Sequence, residues 1–213
     1  MKALRQNRVE AFTRIELLVV VAVVALMATL VLPGLVRMKQ KRWRIQCTNN
    51  LKQMGLAFRT FAIDHDGELP AQVYMKRIEK AGGKGSVEAC RIFQVMSHEM
   101  STPNVLACPA DTRVPASVLG PGFSNTNLSY FVSLSTVETY PSMLLCGDRN
   151  LTNGLPVENG ILVLPPNRPI GWTHGMHFPQ GNLGLADGSV QGWTSSRLLG
   201  LTAGGITNCL AMP

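Results

Sequence analysis

The sequence lacks a second long hydrophobic run. A single stretch, Phe12 to Val36 (FTRIELLVVVAVVALMATLVLPGLV), is long and apolar enough to cross a bilayer as a helix, which takes about 20 residues at 1.5 Å rise each. One anchor near the N-terminus is expected, followed by enough chain for one exported domain rather than two. There is no aromatic–basic interleaving after the basic cluster Arg37, Lys39, Lys41, Arg42 and Arg44, where much of the net charge of +7 resides. That disfavours nucleic acid as a partner and favours phospholipid headgroups. Zinc-knuckle spacing is missing too, because Cys47, Cys90, Cys108, Cys146 and Cys209 lie far apart in the chain. Two disulfides with one thiol left over, and buried free cysteines, both remain open. No order of serine, aspartate and histidine forms a triad with a nucleophile elbow, and His98 has no supporting pattern as a base for a cysteine nucleophile. A non-enzymatic chain without a cofactor is expected. Asp64, Asp66 and Glu68 alternate as calcium ligands do, but no closing glutamate follows at the required spacing, which leaves a solvated turn.

What is present begins with the apolar run. From Leu17 to Leu32 it carries no charge, and Thr29 is its only hydroxylated residue. Three readings fit. A cleaved secretory signal would use Lys2, Arg5 and Arg8 as its basic region, but the run is long for such a signal and ends at Pro33-Gly34 before the basic cluster. A plain signal anchor leaves orientation ambiguous, since both flanks are basic. Neither accounts for Glu16, an ionisable residue at the head of the run and by default a functional one.

Beyond the run, Trp43, Cys47, Leu51, Met54, Phe58 and Phe61 or Ala62 recur every three or four residues, the stripe of an amphipathic helix. Residues 37–63 therefore continue the same helix, and a helix over 12–63 would be about 78 Å long. Asp64-His65-Asp66-Gly67 ends it. Residues 71–86 end in a Gly/Lys-rich loop, and Val87–Met100 contains a short helix. Strands are expected at Leu128–Leu134, at Met143–Cys146 and at the apolar stretch Gly160–Leu164 ahead of Pro165-Pro166, with Gly147–Asn150 a turn. Leu183, Leu185 and Val190 flank Asp187-Gly188, a strong hairpin signal. His174 and His177 stand three apart and are weak metal-ligand candidates with Asp148 or Asp187. Gly175 and Pro179 argue against the helix that would align them, and a hydrogen bond from His177 to the Asp187 turn is the preferred reading.

The string Ala11-Phe12-Thr13-Arg14-Ile15-Glu16-Leu17-Leu18-Val19-Val20 closely resembles the processing signal of type IV pilins and type II secretion pseudopilins. The resemblance implies cleavage by a prepilin peptidase between Ala11 and Phe12, methylation of the new amine, and Glu16 at the fifth mature position. Ala11 stands where a glycine is usual, and Arg14 where an apolar residue is usual; Pro33 falls at the family's helix-kinking proline. Farther on, Cys47-Thr48-Asn49-Asn50-Leu51-Lys52-Gln53 resembles a signature of pseudopilin-like proteins abundant in planctomycetes and their relatives. So do Cys108-Pro109 and a C-terminal motif of His177, nine residues, then Asp187-Gly188, with Asn182 where an asparagine is common. The implied fold is α+β and pilin-like. Residues 1–11 are a leader, 12–36 a transmembrane and assembly helix, 37–63 its amphipathic continuation, and 64–213 an exported domain on a mostly antiparallel sheet. The implied protein is a single-pass bacterial inner-membrane subunit, its C-terminal domain extracytoplasmic, that joins other pilin-like subunits and an assembly platform in a pseudopilus or filament. The alternative is an anchored protein displaying a glycan- or metal-binding domain.

Overall fold

The structure, a computed structural model, describes residues 13–82, 85–137, 139–166, 168–177, 179–202 and 207–213; for 33, 36, 37 and 199–202 it describes the backbone alone. Ala11 and Phe12 lie outside the described residues. Helix α1 spans Arg14–Asp64, and the chain divides into two compact units at Lys41 and Arg42.

In the first unit, α1 opens on a capping box. Glu16 N donates to Thr13 Oγ1 (3.3 Å), and Glu16 Oε2 accepts from Thr13 N (2.8 Å) and Thr13 Oγ1 (2.7 Å). Such reciprocal bonds occupy amide donors that the first turn of a helix leaves unpaired. The stretch Arg14–Leu32 is long and apolar enough to cross a membrane, at about 28 Å for its 19 residues. None of it is buried. Its apolar side chains point outward on every side, with no polar face, the composition of a helix made for a lipid or protein surround. The helix runs without a break through Pro33.

In the second unit, the remainder of α1 buries the expected stripe. Cys47, Leu51, Met54, Phe58, Phe61 and Ala62 are all enclosed, while Ile45, Leu56 and Ile63 face outward. Each fully buried large side chain of this set contributes about 1.5–3 kcal/mol relative to leaving it in water. The helix stops where Gly67 N reaches back to Ala62 O (2.8 Å), with Asp66 (φ 54°) and Gly67 (φ 83°) in left-handed conformations. Helix α2 (Pro70–Lys80) has no counterpart in the pattern read above, which ran residues 71–86 toward a loop. Its start is marked by Pro70 and by Gln72, whose Oε1 accepts from Leu69 N (2.9 Å), rather than by a Ser, Thr, Asp or Asn cap. Helix α3 (Ala89–Val95) follows.

Among the described residues eight strands come next: β1 (Tyr130–Ser133), β2 (Leu144–Asp148), β3 (Leu151–Thr152), β4 (Ile161–Leu164), β5 (Gly171–Trp172), β6 (Gln180–Leu185), β7 (Val190–Thr194) and β8 (Asn208–Ala211), with helix α4 (Ser195–Thr202) between the last two. Six form one sheet in the order β4-β8-β1-β2-β6-β7, and every pairing in it is antiparallel. Strands β3 and β5 make a separate antiparallel ribbon. Strand β8 was not expected, yet it fills the sheet between β4 and β1.

Strand β1 is buried along its whole length because both faces of the sheet are covered. Tyr130 and Val132 belong to the core shared with α1, α2 and α3. Phe131 belongs to a second core with Leu162, Trp172, Leu183, Leu198 and Leu210 on the opposite face. Gly181 admits that second layer, since a Cβ there would lie 2.5 Å from the Trp172 ring. The result is an α+β domain in which helix α1 packs on an antiparallel sheet.

Candidate functional site

Three segments widely separated in sequence meet beneath α1. Cys47, on the buried stripe of the helix, forms a disulfide with Cys108 across 61 residues (Cα–Cα 5.3 Å). Cys90, Cys146 and Cys209 are free, so one bridge forms rather than two. Cys146 lies inside β2, where burial first and the charge of Asp148 second push its thiol up to about 12, leaving it inert. His177 brings Nε2 to 3.2 Å from Cys108 Sγ. The donor atoms of Cys47, Cys108 and His177 all lie within 4.8 Å of one another.

Each segment is held in place separately. One turn after Cys47, Asn50 points inward and donates Nδ2 to Ala107 O (3.1 Å), just before Cys108, and to Tyr130 Oη (3.4 Å). Asn49 faces solvent and Leu51 the core. Cys108-Pro109 opens a turn closed by Asp111 N to Cys108 O (2.9 Å). Asp111 then receives two charged hydrogen bonds from Arg149, from Nε and Nη2, each 2.7 Å. Burial is the largest single influence and raises the Asp111 carboxyl, but the hydrogen bonds and charge of Arg149, with further hydrogen bonds such as that from Thr112 N, together hold it below its ordinary range. The next residue, Asn150, secures the His177 loop by donating Nδ2 to Thr173 O (2.9 Å) and Met176 O (3.2 Å). Adjacent residues of the β2–β3 turn therefore fix the loops on both sides of the Cys108–His177 contact. His177 itself has a left-handed backbone (φ 32°), uncommon for a residue with a side chain. Burial, and then the nearby Arg44 guanidinium, lower its pKa to about 4, so its imidazole is neutral near pH 7.

A second buried polar group adjoins this site. Asp148 belongs to β2 and is fully enclosed, not part of an exposed turn as its GDRN context suggests. Its Oδ2 accepts from Asn182 N (2.8 Å) and Nδ2 (2.9 Å), while Oδ1 has no partner. Burial raises its carboxyl to about 7, against the hydrogen bonds from Asn182 and the attraction of Arg44. Thr48 Oγ1 donates to Asn182 Oδ1 (3.3 Å), which ties the helix to β6. Arg44, expected in a headgroup-facing cluster, instead extends Nη1 to Gln180 Oε1 on β6.

The expected His177–Asp187 hydrogen bond does not form. Asp187 sits at the exposed tip of the β6–β7 hairpin, where Oδ1 accepts from Ser189 N (2.8 Å). It serves its own turn, with Gly188 at φ 82° supplying the left-handed step. His174 is exposed. Among the described residues the weak metal candidates His174, His177 and Asp187 are not gathered, and the group that is gathered joins His177 to Cys47 and Cys108. Glu68, an alternating acid of the helix-ending turn, forms an ion pair with Lys76. No protein-family model, curated protein or solved structure matches the chain.

Proposed function

We propose that this chain is a structural, pseudopilin-like subunit that assembles through its N-terminal helix into a type II secretion-like pseudopilus or a type IV filament. The observation that carries the reading is the head of α1, where Glu16 stands at the start of an unburied apolar helix long enough to span a bilayer. Before assembly that helix resides in the inner membrane as a single pass. After a prepilin peptidase cuts between Ala11 and Phe12, the carboxylate of Glu16 meets the new N-terminal ammonium of a neighbouring subunit. Such a pair is tolerable away from water only when both charges are present together. The capping box uses Oε2 of Glu16 and leaves Oε1 outside the motif. The α+β domain, with a long helix on an antiparallel sheet, supports a pilin-like fold, and the bilayer, the peptidase and the assembly platform are the remaining partners.

The capping box supplies a sharp test. Glutamine at N3 of a capping box keeps the hydrogen bonds but removes the charge. Glu16→Gln should leave membrane insertion and the α1 N-terminus intact while abolishing incorporation into sheared filaments or pseudopili. Thr13→Ala, which breaks the cap and keeps the charge, should still incorporate. Incorporation of Glu16→Gln at the wild-type level would eliminate the assembly role of the carboxylate. N-terminal sequencing of the membrane-bound chain should begin at methylated Phe12; a start at Met1 would point to an anchored display protein.

A further inference from the structure

Cys47, Cys108 and His177 carry more than a covalent staple needs. A disulfide has no use for an imidazole nitrogen at 3.2 Å from one of its sulfurs, on a loop with its own clamp from Asn150 and a left-handed backbone at the histidine. We propose that in the reduced chain Cys47 Sγ, Cys108 Sγ and His177 Nε2 form a binding site for one zinc ion, with solvent in the fourth position. The disulfide and the zinc site are alternative states of the same three side chains. This inference does not depend on assembly into a filament.

The geometry needs little adjustment. Tetrahedral zinc with bonds of about 2.3 Å to sulfur and about 2.05 Å to nitrogen sets its ligands roughly 3.5–3.8 Å apart. The Cys108–His177 separation of 3.2 Å is already close to that value. The two sulfurs must part to roughly 3.8 Å, within reach of side-chain rotation at a Cα–Cα distance of 5.3 Å, and Cys47 Sγ starts within 4.8 Å of the His177 ring nitrogen. Chemistry selects the ion. Two thiolates and an imidazole are soft-to-borderline donors that exclude calcium and magnesium. Two thiolate charges also cancel a divalent cation, so the enclosed site stays neutral, whereas a monovalent ion would leave a buried negative charge. His177 is half-buried while Cys47 and Cys108 are enclosed, so solvent reaches the fourth position from the histidine side.

The exchange balances. A dithiol reductant gives two electrons and two protons to the Cys47–Cys108 bond and becomes a cyclic disulfide, leaving two thiols on the chain. Zinc then displaces both thiol protons as it binds two thiolates; a disulfide oxidant reverses this by thiol–disulfide exchange, taking the two electrons and becoming a dithiol (with two protons from solvent) as the Cys47–Cys108 bond re-forms and zinc leaves. A newly made chain is reduced before export, so zinc can hold the three segments together until the disulfide forms.

The full-length chain in detergent micelles, titrated with zinc against a chromophoric chelator, tests the proposal. The reduced chain should bind one zinc ion and release both thiol protons, and the oxidised chain should bind none. Reduced His177→Ala should bind at least about 10-fold more weakly, and Cys47→Ser/Cys108→Ser should lose the site. Equal zinc binding by the oxidised and reduced chains, or undiminished binding by His177→Ala, would overturn it. Cobalt added to the reduced wild-type chain gives a readout that needs no variant. Thiolate-to-cobalt charge transfer with the strong visible bands of four-coordinate cobalt is expected, and their absence equally overturns the site.

Discussion

The two stretches of α1 answer to different surroundings. Leu17–Leu32 is apolar all round and wholly exposed, whereas Trp43–Ala62 is apolar on one stripe and buries that stripe completely from Cys47 onward. The second stretch carries its own reason to be helical, since every third or fourth side chain finds a place in the domain core. The first has no such partner within its own unit, and it is held as a helix by backbone bonds that a bilayer would make obligatory. One helix thus combines a segment specified by packing with a segment specified by its solvent.

That contrast can be broken most forcefully at the disulfide. Cys47→Ser in the oxidised chain should lower domain stability by about 4 kcal/mol, as expected for a bridge closing a loop of this length. Denaturant unfolding followed by tryptophan fluorescence would measure it, and a reductant should reproduce the loss in the wild type but not in the variant. Next in size is a matched pair of truncations. Leu51→Ala, in the fully enclosed stripe, should cost about 3 kcal/mol. Leu26→Ala, 63% exposed, should stay within about 0.5 kcal/mol in micelles. Equal effects would erase the distinction between the two stretches.

An effect smaller than the Leu51→Ala loss concerns pH and only the packed domain. Asp148 has a folded-state value of about 7, above that of an ordinary carboxyl, so the folded chain holds this proton more firmly than the unfolded one. Its contribution is therefore fully present below about pH 4 and is lost as pH rises through about 7. Wild-type stability should fall between pH 5 and pH 8 by on the order of 2 kcal/mol relative to Asp148→Asn, which accepts from Asn182 without ionising. Parallel pH profiles for the two chains would show that Asp148 does not titrate in this range.

Local pattern made the helical stripe, the hairpin at Asp187-Gly188 and most of β1, β2 and β4 legible in the sequence. Each is encoded by residues within a few positions of one another. The meeting of Cys47, Cys108 and His177 was not legible, because pairing across 61 residues and more depends on how the sheet stacks on α1. His177 and Asp187, with nine residues between them in one motif, are expected to share a hydrogen bond, but the hairpin keeps that acid for its own turn. Asp148 misled in the opposite way. A Gly-Asp-Arg-Asn string reads as an exposed turn, yet its aspartate completes a central strand while only Arg149 and Asn150 turn away. Helix α2 lacks a polar cap at Leu69, and β8 is four residues without strong alternation, so neither stands out before the core is assembled.

The position of β8 governs when this domain can be completed. Residues 208–211 supply the backbone that joins β4 to β1, so a ribosome that has made everything before Asn208 has produced a sheet with a slot in it. Both flanking strands then present unpaired amides and carbonyls, the edges most prone to join the wrong chain. Closure waits for β8, the last strand in chain order to enter the sheet, and until it is placed the strands on either side of the slot depend on protection from other chains.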